Sequence, residues 1–180
     1  FEIYDYMDIV KCYDNYPIGF VIGANLLQLF IYIIGAYIVY LLGFVWLILY
    51  LIYILVLEIR LLRISCTHCY YYGKRCAFGR GVLCSVFFKK GYSQKFIDKK
   101  IGWIEILPDF LVSLIPLIIG AGFLINNFTW FLLFLVIILI VLAFPINGFL
   151  RGSLACKYCR QKEIGCPAEQ LFNKNKKEKE

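Results

Sequence analysis

The chain has 180 residues, enough for one compact unit or two small repeats. With 62% hydrophobic residues and a mean hydropathy of +0.75 it is too apolar for an ordinary water-soluble domain. The net charge of +7 would suit nucleic acid, but all 19 Lys and Arg lie outside two long apolar blocks. In a membrane protein that pattern is an orientation signal, and it implies no nucleic-acid partner.

Residues 1–16 mix Glu2, Asp5, Asp8 and Asp14 with Ile, Tyr and Met, and they include Cys12. Four acidic groups without an apolar run do not make a secretory signal, so this reads as a cytosolic or interfacial segment. From Asn15 to Leu57 there is no charged side chain. One helix over that block would be about 65 Å long, against a hydrocarbon core of about 30 Å. A transmembrane hairpin over 17–63 fits better, with helices at about 17–40 and 43–63 and a turn near Tyr40 to Gly43. Gly19 and Gly23 make a G-x-x-x-G match, a pattern that ordinary tolerance of glycine in membrane helices explains equally well.

Glu58, Arg60 and Arg63 mark the exit from the apolar block. Residues 64–103 form a cysteine-rich loop. Between Val86 and Ile101 it alternates Phe87, Phe88, Phe96 and Ile97 with Lys89, Lys90, Lys95, Lys99 and Lys100. That mixture suits either a short amphipathic segment on an anionic leaflet or a stop-transfer flank. Trp103 reads as an interface anchor. A second hairpin, 104–151, holds a block from Phe110 to Leu150 without charge. Its helices fall at about 105–125 and 128–150, with Asn126-Asn127 as the turn and Pro116 as a kink. A second knuckle follows at 152–172. The tail 173–180 contains only Asn, Lys and Glu and reads as disordered.

The fold class expected is an all-α integral membrane protein. Four transmembrane helices form two tandem hairpins, each followed by a cytosolic cysteine-rich knuckle. The evidence for a parallel internal repeat is the cysteine spacing. Cys66, Cys69 and Cys76 form C-x2-C-x6-C, and Cys156, Cys159 and Cys166 repeat both gaps. Pro17 and Pro108 precede them at nearly equal distances, and Cys76-Ala77 is echoed by Cys166-Pro167-Ala168. Two such hairpins share one orientation, so their pseudo-two-fold axis should lie along the membrane normal. The outer turns carry no Lys or Arg, which places both termini and the central loop in the cytoplasm.

All eight cysteines then face the cytosol, where thiols stay reduced, and metal binding is expected before disulfides. Two thiolates separated by two residues can hold one ion from a tight turn. Three partitions are open. Cys66, Cys69, Cys76 and Cys84 can make one four-thiolate site while Cys156, Cys159, Cys166 and Cys12 make another. The two C-x-x-C turns can share one ion across the pseudo-axis. The six repeated cysteines can hold a multinuclear cluster. Stoichiometry favours the first. Thiolate ligands fit zinc and an iron–sulfur cluster equally.

His68, inside the first C-x-x-C, has Tyr158 at the matching position and reads as a surface residue. Gly79-Arg80-Gly81 lacks the context of a phosphate loop, and its charge serves to offset nearby thiolates. Asp109, after Pro108, reads as a cap on the third helix. The function expected is a membrane metal-binding protein, an accessory or anchoring subunit of a larger complex that binds a protein partner or a second copy. The alternatives are iron–sulfur electron transfer and a small oligomeric channel or transporter. A thiol–disulfide enzyme fits less well, because its cysteines would face the oxidising side. No catalytic residue is assigned.

Overall fold

A computed structural model describes residues 12–97 and 103–166. The predicted tail 173–180 and the lysines Lys99 and Lys100 lie outside the described residues, as does the side chain of Trp103. Four helices are long and apolar enough to cross a membrane. They are α1 (Ile18–Tyr40), α2 (Phe44–Ile64), α5 (Trp103–Asn126) and α6 (Trp130–Cys156). Two short helices, α3 (Arg80–Phe87) and α4 (Gln94–Ile97), lie between the hairpins, and α7 (Gln161–Ile164) follows α6. Among the described residues the only β pairing is an isolated bridge between Tyr13 and Cys159.

The span windows have mean hydropathies of 2.0 to 2.8, yet only 17% to 22% of their residues are buried within the protein. A helix that is apolar all round and buries so little needs an apolar solvent, which a bilayer supplies. The inner faces form two clusters. Ile31 and Ile38 of α1 pack on Leu132, Val136 and Leu139 of α6. Val39 of α1 packs on Tyr50 and Ile54 of α2 and Val112 of α5.

The turns follow from local chemistry. Gly43 adopts φ 128°, a region that L side chains rarely enter, and its N–H closes the turn on Tyr40 O at 2.8 Å. At the second turn Asn126 Nδ2 donates to Gly122 O at 2.9 Å and Asn127 N to Phe123 O at 2.8 Å. The three earlier helices agree with the sequence reading to within about two residues. The fourth runs past its predicted end at 150, through wide π turns at Leu142–Ile146 and Leu150–Cys156. Pro145 cannot donate in the first of these, and a widened turn absorbs the missing hydrogen bond. Arg151 does not stop the helix. Its Nε donates to Asn147 Oδ1 at 3.1 Å and its guanidinium lies over the Phe78 ring.

α5 continues through Pro108 and Pro116. Pro116 has no N–H for the carbonyl of Val112, and Tyr50 Oη donates to that carbonyl at 2.7 Å. Tyr53 Oη donates to Pro108 O at 2.8 Å. Gly35 of α1 makes room for this junction, because a Cβ there would lie 2.5 Å from Tyr50 Oη.

Candidate functional site

Three separated pieces of the chain meet at one end of the bundle. Tyr13 N donates to Tyr158 O at 3.0 Å and Tyr16 N to Arg75 O at 2.9 Å. Tyr16 Oη donates to Ala155 O and Tyr71 Oη to Tyr13 O, both at 2.5 Å. Tyr16, Tyr71, Ala77 and Ala155 form a buried cluster, with Cys69, Cys76 and Cys159 packed against it. Gly81 lets the loop cross itself, since a Cβ there would collide with the backbone carbonyls of Tyr71 and Lys74.

The two C-x-x-C turns have matching backbone hydrogen bonds. Cys69 N donates to Cys66 O at 3.4 Å and Cys159 N to Cys156 O at 3.3 Å. Tyr72 N donates to Cys69 O and Lys162 N to Cys159 O, both at 3.1 Å. The turns also bond to each other. Tyr70 N donates to Gln161 Oε1 at 2.7 Å, and Arg160 N donates to Tyr71 Oη at 3.0 Å. Tyr70 and Arg160 directly follow the second cysteine of each pattern, and Tyr71 and Gln161 come next. Each turn therefore offers an amide from one position to a side chain of the other turn at the following position.

Burial pushes the Cys69 thiol up to about 11. The backbone amide of Tyr71 pulls the other way, and the charges of Cys76 and Cys166 add to the rise. Burial likewise pushes Cys159 up to about 12, opposed by the amide of Gln161 and reinforced by Cys69, Cys166 and Cys156. The thiols of both turns thus lie within electrostatic reach of one another. Burial, reinforced by the neighbouring sulfurs, favours the protonated form of Cys69 and Cys159, and a bound cation would favour the thiolates instead. Amides aimed at the sulfur favour its thiolate form.

All eight predicted ligands lie within the described residues. Among these residues no three Cys, His, Asp or Glu side chains are grouped closely enough to hold one ion. Cys84 is fully buried, with its thiol 3.5 Å from Leu62 O. Cys12 lies by the second turn, where burial and a hydrogen bond to Glu163 raise its pKa. Both extra thiols are on the sides that the two-site partition gives them, but each has another acceptor. Asp14 ties the N-terminal piece to both turns, through Tyr70 Oη at 2.7 Å and Arg160 Nη1 at 2.8 Å. His68 is more enclosed than predicted. Its Nδ1 lies 2.6 Å from Thr67 Oγ1 and its ring lies against Gly91.

A second polar group went unrecognised in the sequence. Glu58 of α2 accepts from Arg80 Nη2 at 2.6 Å, Arg80 Nε at 3.0 Å and Tyr32 Oη at 2.7 Å. Arg80 therefore holds α3 against the bundle through a carboxylate, and its charge also favours the nearby Cys66 thiolate, the role expected of it from the sequence. The usable signal was Glu58 itself, an acid inside a helix that continues to Ile64 and so in need of a partner. Asp109 lies inside α5, which begins at Trp103, and so does not cap it. No family model, curated protein or solved structure matches the chain.

Proposed function

We propose that the chain is an integral membrane metal-thiolate protein, an anchoring or accessory subunit whose paired cysteine turns bind a thiophilic metal at the cytoplasmic end of four spans. The observation that carries this reading is the reciprocal amide pairing of the two C-x-x-C turns, Tyr70 N to Gln161 Oε1 and Arg160 N to Tyr71 Oη. In a two-fold arrangement, if residue i meets j of the other copy, then j meets i. That rule supports a duplicated hairpin with its axis between the turns.

The donor set fits the metal by its chemistry. Cys66, Cys69 and Cys76 come from one turn and its loop, and Cys156, Cys159 and Cys166 from the other. Cys69 and Cys159 each have an amide favouring the thiolate. We favour a centre shared between the two turns, which the influence of Cys69 on Cys159 and of Cys166 on Cys69 supports, while the influence of Cys76, Cys84 and Cys69 on Cys66 supports the two-site partition. Cys84 and Cys12, with other acceptors, are supporting thiols in the shared arrangement. A zinc ion would cross-link the two cysteine segments, and an iron–sulfur cluster would also carry electrons. The one-sided distribution of the 19 basic residues supports the cytoplasmic side.

The test is elemental analysis and an absorption spectrum on anaerobically purified protein. Zinc alone supports an anchoring role and removes electron transfer. Iron with sulfide and absorption near ~400 nm supports electron transfer. Protein free of any metal overturns the proposal. Thiol labelling from outside intact cells tests orientation, and strong labelling there would reverse it.

A further inference from the structure

Within the segment read as amphipathic, Val86 to Ile101, lies α4, and residues 98–102 lie outside the described residues. The loop between the hairpins also holds a helix at Arg80–Phe87, α3, which overlaps the start of that segment. Gly79 precedes it at φ 68°, and Phe88 ends it in extended backbone. One face turns to the protein. Gly81 and Cys84 are buried, Cys84 Sγ lies 3.5 Å from Leu62 O, and Arg80 pairs with Glu58. The opposite face is Val82, Leu83, Val86 and Phe87, related by i, i+4 spacing and all exposed. Val86 is 72% and Phe87 69% exposed, as open as Val45 at 68% on the outer face of α2.

The depth of this face is fixed by its contacts. Leu62 lies about 27 Å along α2 from Phe44, and the hydrocarbon core is about 30 Å thick. α3 is therefore held beside the last two turns of a spanning helix, at the boundary between acyl chains and headgroups. Lys89 and Lys90 follow directly and are exposed, and no Asp or Glu occurs from Arg80 to Ser93. An apolar face at that depth, flanked by lysines without an intervening acid, matches a leaflet with anionic headgroups.

We propose that α3 is an in-plane helix that seats Val82, Leu83, Val86 and Phe87 in the bilayer at the cysteine end, with Lys89 and Lys90 on anionic headgroups. Because Gly81 on its other face packs against the Tyr71 and Lys74 carbonyls of the cysteine loop, and Cys84 against α2, the leaflet then bears on that loop through α3. The proposal does not depend on a metal being bound.

The test uses the full chain in vesicles of phosphatidylcholine, with or without phosphatidylserine. A benzophenone amino acid replaces Phe87 in one sample and Phe44, at the start of spanning helix α2, in another. After irradiation, mass spectrometry should find lipid adducts at both positions. Phosphatidylserine should raise the yield at position 87 severalfold, and Lys89→Gln with Lys90→Gln should abolish that rise while leaving position 44 unchanged. Adducts at position 87 to a second copy or another protein, with lipid adducts at position 44, would overturn the proposal. Equal yields at position 87 with and without phosphatidylserine would overturn the anionic part.

Discussion

The junction of Gly35, Tyr50 and Pro116 makes a sharp test of how the spans are held together. Pro116 leaves the Val112 carbonyl without its helical donor, and Tyr50 Oη fills the gap at 2.7 Å. Val112 is buried among α1, α2 and α5, so neither water nor lipid can take over. Interhelical hydrogen bonds in bilayers average about 0.6 kcal/mol and reach about 1.7 kcal/mol. A carbonyl left without any donor costs about 1–3 kcal/mol. Tyr50→Phe should therefore destabilise the bundle by about 1–2 kcal/mol, at the upper end of the bilayer range. Gly35→Ala acts on the same bond from the other side. The new methyl would lie 2.5 Å from Tyr50 Oη, and 3.3 Å from both Tyr50 Cζ and Pro116 Cγ. The oxygen has to move, and with it the hydrogen bond, at a cost of about 1–3 kcal/mol. In the double variant the oxygen is gone, and only the 3.3 Å contacts have to relax. The two costs should then fall short of additivity by about 1 kcal/mol or more. The assay is unfolding in lipid–detergent micelles against the mole fraction of dodecyl sulfate, followed by far-UV circular dichroism. Additivity within about 0.5 kcal/mol would refute the reasoning, as would a neutral Tyr50→Phe.

Glu58→Gln should cost about 1–3 kcal/mol, less than for a fully buried pair because the side chains of Arg80 and Glu58 are 16% and 29% exposed. Adding Arg80→Gln should restore part of the loss; a double variant as unstable as the summed singles would show that the pair is not coupled. Among the glycines, Gly81→Ala should disrupt the cysteine loop most, because two backbone carbonyls block its Cβ. Gly19→Ala and Gly23→Ala meet nothing within 4 Å and should be neutral or stabilising by about 0.5–1 kcal/mol. A loss of self-association in either would instead make them a contact between copies. Stripping the proposed metal with a chelator should leave the helical signal intact while speeding proteolysis between Cys66 and Arg80; unchanged protection would mean that the loop is held by packing alone.

The four long apolar helices were legible because the sequence encodes them locally. Two charge-free blocks too long for one crossing, with Gly43 and Asn126-Asn127 near their middles, leave little freedom in where the helices lie. The course of α3 was not legible, since its start depends on Gly79 in a left-handed conformation and on Arg80 reaching Glu58, both tertiary facts. α6 runs past its expected end at 150 to Cys156, where Asn147 and Phe78 accommodate the guanidinium of Arg151 along the helix. Counting sulfurs favoured two separate four-thiolate sites. Counting could not reveal that the Cys84 thiol faces Leu62 O or that Cys12 faces Glu163.

The cysteine spacing suggested a repeat, but it could not say how the two copies would touch. The bonds that join the turns come from positions where the copies differ. Tyr71 in one and Gln161 in the other each accept an amide proton from the residue after the opposite turn's second cysteine. A phenol and a carboxamide share no sequence signal, yet both put an oxygen at the end of a side chain long enough to cross the gap. Selection on that contact would preserve reach and acceptor chemistry while letting identity drift. Selection on metal binding would preserve the cysteines and their gaps to the residue. If the proposed duplication holds, the repeated cysteine spacing beside unlike neighbours doing the same work is the pattern that a duplicated thiolate site would leave behind.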